Sequence, residues 1–275
     1  MNDSQIVLAL IISAGLTTLT AILLWRFVTT RRRTESFSEP FPSEWRQLLE
    51  HSLPLYTRIP PPLRLKLEPL VRAFLSDVRF VGCQGLEVTN EMRLVIATQA
   101  CLLVVIRNPD AYTTLGSVLI YPDKFVVNEP EEDESGVVTE GENILAGQSV
   151  DDTRIILSWQ DVRESGTEGD AYNVVLHEFA HYLDNSVDGA LSDSGTRRES
   201  FEAWHDVLDR EYEALCKAVE HGEGTLIDPY GAEHPAEFFA VATETFFERP
   251  LQMQGRHTAL YAALKQFYGL DPAAW

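Results

Sequence analysis

Asn173-Val174-Val175-Leu176-His177-Glu178-Phe179-Ala180-His181-Tyr182-Leu183-Asp184 is the stretch on which the reading of this chain turns. Its apolar positions predict a buried helix. Four residues advance a helix by about 400°, so His177 and His181 project from one face, one turn apart. Two imidazoles so placed can grip one zinc ion, and Glu178 beside them can reach a water on it as general base. The bland alternative is a pair of hydrogen-bonded histidines on an ordinary amphipathic helix.

A catalytic zinc takes three protein ligands and keeps one position open. Asp184, Asp188, Glu199, Glu202, Glu237 and Glu244 are candidates for the third. The span 199–220 reads as an amphipathic helix whose carboxylates belong mostly to its wet face. Glu237 is the better candidate. It sits in Pro235-Ala236-Glu237-Phe238-Phe239-Ala240-Val241-Ala242-Thr243-Glu244-Thr245-Phe246-Phe247. Pro235 opens that helix and Arg249-Pro250 closes it. An acid in the first turn complements the helix dipole, so a helix-start role stands beside metal ligation. Glu244, seven residues on, lies on nearly the same face, either orienting a ligand histidine or standing as an exposed acid. His234 touches substrate or starts the helix.

Outward from these segments, composition narrows the function. The 275 residues carry 22 Lys+Arg and 42 Asp+Glu, a net charge of −20, and 45% are hydrophobic. That is a folding composition, and its acidic balance excludes a nucleic-acid binder, which needs cations to neutralise phosphate. Three scattered cysteines, Cys83, Cys101 and Cys216, build no disulfide framework and read as core thiols. No GxSxG, CxxC or P-loop is present.

The N-terminal run QIVLALIISAGLTTLTAILLW, residues 5–25, has no charge, and Arg26, Arg31, Arg32 and Arg33 follow it. As a helix it would reach about 30 Å, enough to cross a bilayer core. A transmembrane anchor is expected, N-terminus out, with the body on the cytoplasmic side of the inner membrane. The expected organisation is therefore an anchor and basic collar at 1–33, a linker and entry segment at 34–62 and a zinc peptidase domain at 63–275. The domain divides into a helical part, 63–110, and a catalytic part, 111–275.

Along the body, Pro60-Pro61-Pro62 reads as a rigid extended step. Helices are expected over 63–80 and 91–106. Residues 118–121 and 125–127 read as strands around the turn Pro122-Asp123, residues 129–152 as an acidic loop, and 155–159 as a further strand.

The chain from roughly Phe41 onward resembles the Mlc titration factor A family of bacterial zinc peptidases, which are gluzincins. The carrying segments are Ile96-Ala97-Thr98-Gln99-Ala100-Cys101-Leu102-Leu103, Ile120-Tyr121-Pro122, Leu157-Ser158-Trp159, NVVLHEFAHYLD, AEFFAVATETFF and the closing residues 264–272. The resemblance implies zinc on His177, His181 and Glu237, with Glu178 as base. The Tyr-Gly before AEFFA also resembles the catalytic domain of anthrax lethal factor, where a tyrosine seven residues before the ligand glutamate helps stabilise the oxyanion; Tyr230 matches it. The N-terminal membrane helix is not a core part of the family pattern.

The expected fold is α+β: a zincin-like metallopeptidase domain with a mainly helical N-terminal part, preceded by one transmembrane helix. The expected function is membrane-anchored, zinc-dependent peptide hydrolysis, in the manner of an aminopeptidase that regulates sugar uptake. The alternative is a regulatory protein that sequesters a transcriptional repressor with little hydrolysis. Expected partners are Zn2+, a peptide or protein substrate, such a repressor and the membrane.

Overall fold

Prolines lead the chain into its core. In the computed structural model, residues 15, 20, 40–132, 138–145, 147–151, 153–166, 171–190 and 195–275 are described, and Phe41–Trp275 form one compact unit. Helix α1 (Ser43–Ser52) follows Pro42, α2 (Pro54–Arg58) begins on Pro54, and α3 (Pro61–Asp77) begins on Pro61. Proline suits a first helical turn because its φ is preset and its missing N–H would have no partner there. The extended step expected at Pro60-Pro61-Pro62 is thus a helix start, with only Pro60 left extended. Residues 34–62, read as a linker and entry segment, include α1 and α2. These helices bury Leu49, Leu55 and Tyr56, and Ile59 just beyond them is buried too.

Strand β1 (Arg79–Gly82) leads to α4 (Asn90–Val104), capped by Thr89, whose hydroxyl accepts from the Met92 N–H at 3.2 Å. Helix α4 is apolar on nearly every side and is buried from Leu94 to Val104. The sheet then assembles from β2 (Ser117–Tyr121), β5 (Gly147–Asp151) and β6 (Arg154–Ser158) with β1, in the order β1-β2-β6-β5. The first three are parallel and β5 runs antiparallel to β6 at the edge. Register sets Val118 beside Ile155 and Ile120 beside Leu157, so the fully buried residues form continuous rows on one face.

The strands read at 118–121 and 125–127 are both present but join different sheets: β2 belongs to the main sheet, while β3 (Phe125–Glu132) pairs with β4 (Val138–Leu145) in a separate two-stranded sheet. The stretch 129–152, expected as loop, therefore contains half of β3, all of β4 and all of β5. Antiparallel pairing of consecutive strands, β3 with β4 and β5 with β6, outweighs the low strand propensity of its acids.

After β6 come α5 (Trp159–Glu164), α6 (Val174–Ala190), α7 (Gly195–Glu220), a 3-10 turn (Pro229–Ala232), α8 (Pro235–Glu248), α9 (Pro250–Arg256) and α10 (Thr258–Tyr268). Helix α6 packs against α4, α8, β5 and β6, at the centre of the unit.

The transmembrane expectation is corrected. No helix among the described residues is long and apolar enough to cross a membrane. The run 5–25 itself, apart from Gly15 and Thr20, lies outside the described residues. No described helix supports the anchor, its orientation, the single-pass inner-membrane placement or the membrane as a partner. What the described residues form is a largely helical, zincin-like fold.

Candidate metal centre

Phe179, inside the HEFAH motif, fixes the helix that carries it. Its ring is fully buried, 5.9 Å from that of Phe74 on α3 and 5.2 Å from that of Tyr112. Such edge and tilted aromatic pairs add to area burial. With Phe179 turned into the core, helix geometry points His177 and His181 the other way, toward α8. There α8 presents Glu237, Glu244 and Glu248, at positions i, i+7 and i+11. This spacing puts all three on one face.

The ligand candidates converge. His177 Nε2 lies 3.0 Å from Glu237 Oε2 and 3.1 Å from His181 Nε2, and His181 Nε2 lies 3.4 Å from Glu237 Oε2. Among the described residues, these three side chains offer ligand atoms all within 4.8 Å of one another. A tetrahedral ion with bonds of about 2.1 Å holds its ligands about 3.4 Å apart, so the donor set fits zinc in both chemistry and spacing. Asp184 and Glu244 are not part of this group. The side chains of Asp188, Glu199 and Glu202 lie outside the described residues.

The other ring nitrogen of His177 is also held. Its Nδ1 lies 2.7 Å from Glu244 Oε1, and Glu244 is only 3% exposed. Glu244 is thus no surface acid, and its second oxygen accepts from the Asn173 backbone N–H. Burial pulls the His177 imidazole down, but the carboxylates of Glu237 and Glu244 carry it to about 10. Burial likewise raises the Glu237 carboxyl, and the two histidines bring it well below the usual carboxylate range. The cluster therefore favours positive charge between the imidazoles and carboxylates, as a cation site must. Glu178 is buried beside them, and desolvation pushes its carboxyl up to about 7.

Tyr230 lies on the open side. It is 44% exposed, and its ring centroid is 6.1 Å from that of His177. Its turn is N-capped by Asp228, whose Oδ1 accepts from the Tyr230 N–H at 2.9 Å. Gly231 lets this turn press onto α8 and α7: a Cβ there would meet Val241 Cγ2 at 2.6 Å and Leu215 Cδ2 at 3.2 Å. His234 is the N-cap of α8, its Nδ1 accepting from the Ala236 N–H at 3.2 Å. Of the cysteines, Cys101 is buried, while Cys83 and Cys216 are half-buried.

Sequence reasoning missed Asn173, Gln99, Glu248 and Arg58, which close the buried side. Asn173 Nδ2 donates to Gln99 Oε1 at 2.7 Å and to Glu248 Oε1 at 2.8 Å, and Arg58 Nη2 donates to Glu248 Oε2 at 2.8 Å. Two signals were present: Gln99 is a polar residue within an apolar helix, and Glu248 shares the helical face of Glu237 and Glu244.

The sequence profile of the glucose-regulated metallo-peptidase M90 family matches residues 27–269, beginning beyond the apolar run. The uncharacterized protein slr2042 of Synechocystis is 39% identical over 245 residues, covering 88% of this chain and 89% of its own. Mlc titration factor A of Yersinia pestis (strain Pestoides F) is 31% identical over 235 residues, 84% of this chain and 86% of that one. The protein of that name from Yersinia pseudotuberculosis serotype O:1b matches equally. With the HEFAH helix and the AEFFA helix meeting in one His/His/Glu cluster, the chain belongs to the glucose-regulated metallo-peptidase M90 family.

Proposed function

We propose that this protein is a zinc-dependent peptidase, with His177, His181 and Glu237 holding the ion. The observation that carries the reading is the convergence of two imidazole nitrogens and one carboxylate oxygen beside a buried glutamate. Bound there, zinc would supply a Lewis acid and lower the pKa of water at the open position. Glu178, desolvated and adjacent to the ligands, takes a proton from the attacking water and returns it to the leaving amine. Tyr230, on the exposed side, donates its hydroxyl to the oxyanion that develops on the peptide carbonyl. Glu244 keeps the His177 ring in one orientation and one tautomer.

Zinc stoichiometry together with cleavage of a peptide library tests this. Wild-type protein should carry one zinc per chain and cleave peptides. Glu178→Gln should keep the zinc and lose turnover by about 10²–10⁴-fold. Wild-type protein that binds zinc but cleaves no peptide would overturn the hydrolytic reading. A binding role without hydrolysis would survive Glu178→Gln unchanged.

A further inference from the structure

Asn173 is the junction of the polar chain behind the metal centre. It is 1% exposed. Its backbone N–H donates to Glu244 Oε2, and its carbonyl accepts from the His177 N–H at 3.0 Å. Its Oδ1 accepts from the Leu176 N–H at 3.1 Å and so caps α6. Its Nδ2 supplies two donors, one to Gln99 on α4 and one to Glu248 on α8. Glu248 is held in turn by Arg58 of α2, whose Nη2 also reaches the Phe247 carbonyl at 3.0 Å. One side chain therefore ties the start of the metal-bearing helix to two neighbouring helices, with every polar atom used.

The chemistry asks for asparagine here. Glu248 can only accept, and a carboxamide is the small group that donates to it while accepting from the helix N-terminus. An aspartate would keep the cap but would place a carboxylate oxygen against Glu248 Oε1, close to Glu244, in a buried setting where like charges repel strongly.

We propose that Asn173 is a positioning residue for the metal centre: its carboxamide, locked by Gln99 and Glu248, holds its own peptide N–H on Glu244, and Glu244 holds His177 Nδ1 so that Nε2 meets the ion. The proposal rests on the zinc reading of the cluster. A ligand imidazole is fixed by what its second nitrogen bonds, and loss of such partners costs about 10- to 100-fold in metal affinity.

The test is zinc affinity by chelator competition on the full-length protein, with the melting temperature of the metal-free form measured in parallel. Asn173→Asp should weaken zinc by about 10- to 100-fold. Adding Glu248→Gln returns a donor opposite the new carboxylate, so the double variant should recover most of that loss. A purely structural role would lower the melting temperature without this rescue of affinity. Should Asn173→Asp fail to fold, Asn173→Ser keeps an acceptor for the Leu176 N–H and should weaken zinc roughly tenfold. Affinity within twofold of wild type, or a loss that Glu248→Gln does not restore, would overturn the proposal. Absence of zinc binding by the wild type would overturn the metal reading itself, and is seen in the wild-type arm alone.

Discussion

The two sides of the His177–His181–Glu237 cluster are built differently. The inner side is closed: Glu244, Asn173, Gln99 and Glu248 are connected by hydrogen bonds, and Arg58 anchors the chain from α2. The outer side is open, with Tyr230 nearly half exposed and His234 at the surface. A buried polar network is stable only when its members are all paired, and then it holds one arrangement. The difference teaches a division of labour. Under the proposed zinc reading, the inner side would determine where the ligand atoms stand, and the outer side would be free to meet a substrate.

Breaking the cluster itself should have the largest effect. Glu237→Ala leaves two imidazoles, too few for tight zinc. Metal content by elemental analysis should fall from one zinc per chain to near zero, and turnover with it; retention of zinc would remove Glu237 from the ligand set. A change on the open side should spare the metal. Tyr230→Phe removes one hydroxyl, and kcat should fall by about 10²–10³-fold with KM and zinc content little changed. Near-normal kcat in this variant would make Tyr230 a packing residue. A change on the closed side should do the reverse. Glu244→Gln should weaken zinc by about 10- to 100-fold in chelator competition, and at saturating zinc turnover should be largely restored. If zinc affinity holds while saturating zinc leaves kcat low, the division between the two sides fails.

Much of the centre was legible in the sequence because it is local. The helical period puts His177 and His181 one turn apart, and the same period puts Glu237 and Glu244 on one face of the Pro235–Glu248 helix. Burial of Phe179, Phe238 and Phe246 follows from the same arithmetic. Beyond Glu244, the connections of the inner network were not legible, because its partners are far apart along the chain. Asn173 and Gln99 are 74 residues apart, and Arg58 and Glu248 are 190 apart. The strands show the same limit. Val118–Tyr121 and Phe125–Val127 each read as strands, yet which sheet each joins depends on segments elsewhere: Ser117 pairs with Arg154, while Phe125 pairs with Leu145. Hydropathy over 5–25 likewise produced a membrane expectation that no described helix supports.

The amino-acid sequence by itself therefore determined the two helices of the site, the side chains each presents, and the family to which the pair of motifs belongs. The helices and their faces are consequences of spacing along one element, where a 3.6-residue period and a cap suffice, and the family follows from the resemblance of the motifs. Only the tertiary structure decided that the carboxylate of Glu237 comes within 3.0 Å of His177 Nε2, that Glu244 is buried against the opposite nitrogen, and that Asn173 joins α4, α6 and α8. The reason is physical: such contacts form between elements. They are set by aromatic packing around Phe179 and by the need of every buried polar atom for a partner, which no single stretch of chain can supply.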